Sequence, residues 1–125
     1  MTHLDTSFLI RALAADSPQD RTLRGWLRAG EQIAISAIGW TEFLCGPIES
    51  QHVNLATRIV AQRITFSEED AVTAARLFNG SGRRRGSLAD CMIAATAMRL
   101  DASLATADPG DFRRFQSAGL KMIAV

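Results

Sequence analysis

Short apolar runs that alternate with longer helical patterns constrain this chain more than any other feature. Residues 2–4, 32–36, 63–66, 103–106 and 122–125 read as brief strands. Between them, helical patterns cover 8–15, 18–29, 39–44, 48–62, 68–78 and 88–100, and a short helix covers 109–115. Strands alternating with helices predict βα units and a short, mostly parallel sheet covered by helices, an α/β fold. Three stretches, Ser17-Pro18-Gln19-Asp20, Ser67-Glu68-Glu69-Asp70 and Ser87-Leu88-Ala89-Asp90, have the spacing of a capping box. Gly30 and Cys45-Gly46-Pro47 mark stops, and NGSGRRRG over 79–86 marks a loop. No Pro/Gly/Ser-rich linker interrupts the 125 residues, so one domain over 1–125 is expected.

In an open α/β sheet, ligands bind beyond the carboxyl ends of the strands. Acids occur at those places. Asp5 ends the first strand, and Asp108 follows the strand SLAT, with Asp111 three residues later. Glu42 sits in IGWTEFLCG, among Ile38, Trp40, Phe43 and Leu44. Asp90 opens LADCMIAATAM, which apart from Asp90 and Thr96 is apolar; a helix apolar nearly all round is buried. The helix dipole favours an acid in the first turn by ~0.3–1 kcal/mol, up to ~2 when partly buried, whereas burying an ion costs several. Each acid also has an ordinary explanation. Asp5 can cap a helix, Glu42 can face solvent, Asp90 can answer Ser87 in a capping box, and Asp108 and Asp111 suit a turn.

Taken together, the acids suggest one cleft whose carboxylates repel one another. A divalent cation relieves that repulsion, and hard oxygen donors select Mg²⁺ or Mn²⁺. His3 and His52 are isolated, so a zinc site or a Ser/His/Asp arrangement has little support. Carboxylate-held metal ions serve phosphodiester hydrolysis, which implies a polyanionic substrate. Formal net charge is only +1, against a uniformly basic nucleic-acid coat, but of the 14 basic residues only Lys121 is a lysine. Arginine's planar fork suits phosphate, and Arg83, Arg84 and Arg85 stand together between glycines just before Asp90, as a candidate RNA-binding loop. Cys45 and Cys91 lack CxxC spacing and lie on apolar stretches, as expected of buried thiols. No apolar stretch reaches the ~18 residues of a membrane span, and the opening MTHLDTSFLI lacks a basic leader pattern. A cytoplasmic protein without membrane partners is expected.

LDTS at 4–7, TEFLCG at 41–46, DCMIAATA at 90–97 and LATADPGDF at 104–112 occur in an order and spacing that resembles PIN-domain proteins, above all the toxin subunits of VapBC toxin–antitoxin pairs. The resemblance spans essentially the whole chain. It implies a three-layer α/β/α fold and Mg²⁺- or Mn²⁺-dependent cleavage of RNA. It also implies a catalytic quartet of Asp5, Glu42, Asp90 and Asp108, with Asp5, Asp90 and Asp108 on the metal. Ser7 and Thr106 fall at supporting hydroxyl positions, and Asp111 at a lesser position near the rim. A homodimer, possibly within a larger toxin–antitoxin assembly, is implied too. So is a cognate antitoxin that sends an Arg or similar residue into the cleft and carries any DNA contact. Two other readings share these residues: a PIN nuclease of RNA processing without an antitoxin, and a non-catalytic subunit whose acidic cleft receives a basic peptide.

Overall fold

The computed structural model describes residues 1–123; Ala124 and Val125, half of the expected last strand, lie outside the described residues. The strands are β1 (Thr2–Leu4), β2 (Ile33–Ser36), β3 (Gln62–Ile64), β4 (Ser103–Ala105) and β5 (Lys121–Met122). The helices are α1 (Thr6–Ala12), α2 (Pro18–Arg28), α3 (Ala37–Cys45), α4 (Ser50–Ile59), α5 (Glu68–Gly80) and α6 (Leu88–Arg99). Two 3-10 turns, Pro109–Asp111 and Arg113–Ala118, precede β5. The strands form one sheet in the order β3-β2-β1-β4-β5, and every neighbouring pair is parallel.

Alternation along the strands divides the apolar residues between two cores. Leu4, Ile33, Ile35 and Ala105 pack with Phe8, Leu9, Leu23, Phe43 and Ala56, which come from α1 to α4. Leu104 packs with Ala74, Leu77, Cys91, Ile93, Phe112 and Phe115, from α5, α6 and the 3-10 turns. His3 is in register with Ala34 and Leu104, so it lies on this second face. The result is helix, sheet, helix.

Local chemistry explains most boundaries and corrects several. Ser67 and Asp70 make a reciprocal capping box that starts α5. Ser17 accepts from the Asp20 N–H, but the Asp20 carboxylate accepts from the Asp16 N–H, so that box is only half formed. The third expected box is absent: Ser87 Oγ donates to the Arg84 carbonyl, 2.7 Å away, and makes no cap bond. Ser36 Oγ instead caps α3, accepting from Gly39 N–H at 3.0 Å, which starts that helix two residues earlier than its apolar pattern suggests. α4 stops at Ile59, short of 62, because Gln62 already pairs with Ala34 in the sheet. α5 runs on to Gly80, into the expected loop, and the second 3-10 turn runs past Phe115 to Ala118, where Gly119 adopts φ 114°. Cys91 is buried as expected, but Cys45 is exposed. Phe43 takes the core-facing place in the last turn of α3, and the residues after it point outward, with Leu44 half exposed. No helix among the described residues is long and apolar enough to cross a membrane.

The strand order places the site. From β1 the chain moves to β2 and then β3 on one side, and β4 later returns to β1's other side. Connections therefore diverge between β1 and β4, leaving a crevice at their carboxyl ends. Asp5 follows β1 and residues 106–108 follow β4, so both meet that crevice.

Candidate active site

Asp5, Glu42, Asp90, Asp108 and Asp111 line one open cleft of about 350 Å³, together with Thr6, Ser7 and Ile10. The five acids come from four separate parts of the chain: the β1 exit, α3, the first turn of α6 and the segment after β4. Burial grades across the cleft. Asp5 is 5% exposed at its floor, Asp90 is half-buried, and Glu42, Asp108 and Asp111 are exposed on its rim.

Asp5 occupies the N-cap position of α1 but makes no capping bond. Its Oδ2 accepts from Ser7 Oγ at 2.6 Å and from Thr106 Oγ1 at 2.9 Å. The same hydroxyls accept in turn: Ser7 from Ala107 N–H at 3.1 Å, Thr106 from Asp108 N–H at 3.0 Å. Ser7 and Thr106 thus tie the β4 exit to the β1 exit and fix Asp5 and Asp108 relative to each other. Thr6, which the sequence reading did not single out, holds the third element. Its hydroxyl donates to the Gly39 carbonyl at 2.8 Å, with Glu42 Oε1 a longer partner at 3.3 Å.

Electrostatics follow from this packing. Burial pushes the Asp5 carboxyl above its ordinary value, against the opposing pull of the Ser7 and Thr106 hydroxyls. Asp90 is raised to about 7, first by desolvation and then by the charges of Asp5, Asp111 and Glu42, with Arg114 the one opposing influence. Glu42 is raised by desolvation at the cleft wall and by Asp5, against the Thr6 bond. Because Asp90 neither shares a capping box with Ser87 nor has a carboxylate-neutralising ion pair within 4.0 Å among the described residues, its ordinary structural explanation is gone.

Two cations at the rim escaped the sequence reading. Arg11 NH2 lies 4.0 Å from Asp108 Oδ1, and both side chains are more than half exposed. Arg114 lines a neighbouring polar cleft with Arg84, Arg85, Asp90 and Asp111. Arg11 is six residues from Asp5 and carries no motif signal, whereas Arg114 stands in DFRRF next to an expected site segment. The structure also divides the expected arginine loop. Arg84 and Arg85 reach the neighbouring cleft, whereas Arg83, at φ 54°, turns its Nε to Asn79 Oδ1 at 3.1 Å.

The donor set suits a hard divalent cation. Its donors are mainly carboxylate oxygens, and desolvation, helped by the neighbouring carboxylates, keeps a proton on Asp90 to about pH 7. Among the described residues, no three acids, histidines or cysteines stand in closed ligand geometry. Mg²⁺ keeps several waters and is held through one or two carboxylates, so an open cleft of this kind is compatible with it.

This sheet, with its switch point and acid-lined crevice, defines a PIN domain. A PIN-domain family model matches residues 3–117, and the chain belongs to that family, whose members are generally nucleases that use divalent metals. Its fold is similar to those in several solved toxin–antitoxin structures. It matches a chain of a toxin–antitoxin complex from Klebsiella pneumoniae with 25% identity and TM-score 0.75, over 99% of this chain and 97% of that one. For VapBC2 from Rickettsia felis bound to a DNA fragment from their promoter, the identity is 20% and the TM-score 0.75, over 98% and 96%. For VapBC-1 from nontypeable Haemophilus influenzae, they are 19% and 0.73, over 98% and 96%. No curated protein matches the sequence.

Proposed function

We propose that this protein is a metal-dependent endoribonuclease, the toxin of a type II toxin–antitoxin pair, acting in the cytoplasm as a single PIN domain over 1–125. The observation that carries this reading is the convergence of Asp5, Glu42, Asp90 and Asp108 on one cleft at the sheet's switch point, with no ion pair to Asp5 or Asp90 within 4.0 Å among the described residues. Asp5, Asp90 and Asp108 would hold Mg²⁺ or Mn²⁺, and such an ion would supply an acidified water and charge stabilisation for the leaving oxygen. Ser7 and Thr106 keep Asp5 and Asp108 oriented through the hydroxyl network. Glu42, held near the cleft by Thr6 and raised in pKa, takes up a proton at its carboxylate during hydrolysis of the phosphodiester bond. Asp111 supports the site from the rim.

The likeness to VapBC and other toxin–antitoxin structures supports a cognate antitoxin as partner. A toxin homodimer, with DNA reached only through the antitoxin, completes the proposal. Purified protein, mixed with structured and single-stranded RNA, should cut it with Mg²⁺ or Mn²⁺ and not with EDTA. Mapping the new ends would name the sequence preference. Intact RNA after prolonged incubation with both metals, using protein shown to be folded, would overturn the nuclease reading.

A further inference from the structure

We propose that Arg84, Arg85 and Arg114 form a subsite for a second, non-scissile phosphate of the RNA chain, immediately beside Asp90. The proposal rests on the nuclease reading and assigns part of the substrate to a place.

The cleft these arginines line has a volume of about 200 Å³. It shares Asp90 and Asp111 with the acidic cleft, so the two are contiguous along one surface. A polyanion lying in one therefore extends into the other. The lining carries three guanidiniums against two carboxylates. Among the described residues no carboxylate lies within 4.0 Å of any of these guanidiniums. They are cations without a close ion pair, and with one more positive than negative group in the lining.

Arg114 is the preorganised member. Its guanidinium carbon sits 4.5 Å from the ring centroid of Phe115, whose side chain is 1% exposed. Stacking on a fixed ring reduces the ordering that binding would otherwise demand. Its Nε is buried with no hydrogen-bond partner. Contact with a phosphate therefore falls to its terminal guanidinium nitrogens. Ser87 acts as a positioning residue. Buried beneath the loop, it donates to the Arg84 carbonyl at 2.7 Å and so fixes the backbone that presents Arg84 and Arg85. Arg83 is excluded from the subsite by its bond to Asn79.

Binding of a short, labelled single-stranded oligoribonucleotide, followed by anisotropy over a salt series with Ca²⁺ in place of Mg²⁺, tests the subsite without needing turnover. Arg114→Gln should weaken binding about tenfold, as the loss of one charge-assisted contact does. It should also reduce the slope of log K against log salt by about 0.7, one phosphate contact on a single strand. Arg83→Gln should leave both nearly unchanged. Oligonucleotides with one neutral methylphosphonate linkage, moved along the chain, should reveal one position whose neutralisation weakens wild-type binding about tenfold and adds nothing in Arg114→Gln. Arg114→Lys should retain the slope while losing part of the affinity. If Arg114→Gln does not fold, the exposed Arg85→Gln carries the same test. An unchanged slope in Arg114→Gln, or a methylphosphonate effect that persists in it, overturns the subsite. So does tighter binding of an acidic peptide than of RNA at this surface. If wild type binds RNA with the expected slope but never cuts it, the nuclease reading fails and the subsite stands. If wild type cuts RNA and Arg114→Gln cuts it equally well at low substrate, the reverse holds.

Discussion

Asp70 and Asp5 are both buried against the same sheet, but their charges are met in opposite ways. Asp70 is fully buried on the α5–α6 side, and everything needed to keep it ionised is supplied. Arg99 donates from Nε at 2.8 Å and from NH2 at 3.2 Å, Thr96 from its hydroxyl at 3.0 Å and Ser67 from its N–H at 3.1 Å. Burial alone would raise its carboxyl, yet these bonds and the Arg99 charge hold it below the ordinary value. Asp5, 5% exposed, receives two hydroxyl bonds and no cation, and its carboxyl is raised. Asp90 has still less and rises to about 7. The fold can neutralise a buried carboxylate and does so where the charge serves packing. At the crevice, among the described residues, no such ion pair is made to Asp5 or Asp90.

The sharpest division between the two places is expected in activity. Asp5→Asn or Asp90→Asn should abolish RNA cleavage while the protein stays folded, because each keeps shape and removes one charge from a repelling set. Circular dichroism and a cleavage assay on the same preparation check this, and full cutting by either variant would remove these residues from the metal site.

Next in size is the stability effect at the other place. Asp70→Asn strands Arg99 beside a buried amide and should destabilise the protein by about 3 kcal/mol, the low end for breaking a buried pair, since Arg99 is partly exposed. Urea unfolding measures it. At low temperature the folded fraction should still cut RNA with metal present; a dead but folded Asp70→Asn would mean the two regions are coupled.

The pH dependence of stability should separate them further. In EDTA, unfolded Asp90 ionises near its ordinary value of 3.8 whereas the folded group keeps its proton to about 7. The folded state thus binds more protons in that window, and stability falls as pH rises from about 4 through 7. Asp70 has the opposite sign, contributing stability above its ordinary value that is lost as acid protonates it. His3 complicates the same window. Buried with neither ring nitrogen bonded among the described residues, it is held to about 4 by desolvation and by the N-terminal and Arg99 charges, against an ordinary value of 6.5. Its unfolded form takes the proton first, so it makes stability rise from about pH 4 to 6.5, by on the order of 3 kcal/mol at most. Asp5 and Glu42, also raised, add to the fall. Asp90→Asn should therefore make the profile fall less than in wild type, and His3→Gln should make it fall more; parallel profiles in the two variants would contradict both assignments.

The smallest effect belongs to Arg11→Gln. Its contact with Asp108 is long and exposed, so melting should change by no more than about 0.5 kcal/mol. A larger loss would show that Arg11 already plays the neutralising part denied to the cleft.

Much of this was legible in sequence because strands and helices announce themselves through periodicity, and the acids stood in unusually apolar surroundings. Asp5, Glu42, Asp90 and Asp108 do share one cleft. What sequence could not carry was partnership across distance. Asp70 read only as a capping acid, since Thr96 and Arg99 are 26 and 29 residues away. Ser87 and Asp90 had capping-box spacing, but the hydroxyl turned to Arg84 instead, and local spacing does not encode that choice. The arginine run read as a unit, whereas left-handed backbone at Arg83 separates it from its neighbours.

The unneutralised carboxylates of the crevice are proposed to form a divalent-cation site. Thermal unfolding over a Mn²⁺ series, at fixed ionic strength and without RNA, tests it most directly. A ligand that binds only the native state raises stability by RT ln(1 + [L]/Kd), so about 2.7 kcal/mol at a hundred times Kd. Wild type should rise along that curve, Arg83→Gln should follow it, and Asp5→Asn and Asp90→Asn should stay flat. A Mn²⁺ response that is absent in wild type, or equal in wild type and both cleft variants, would contradict the claim.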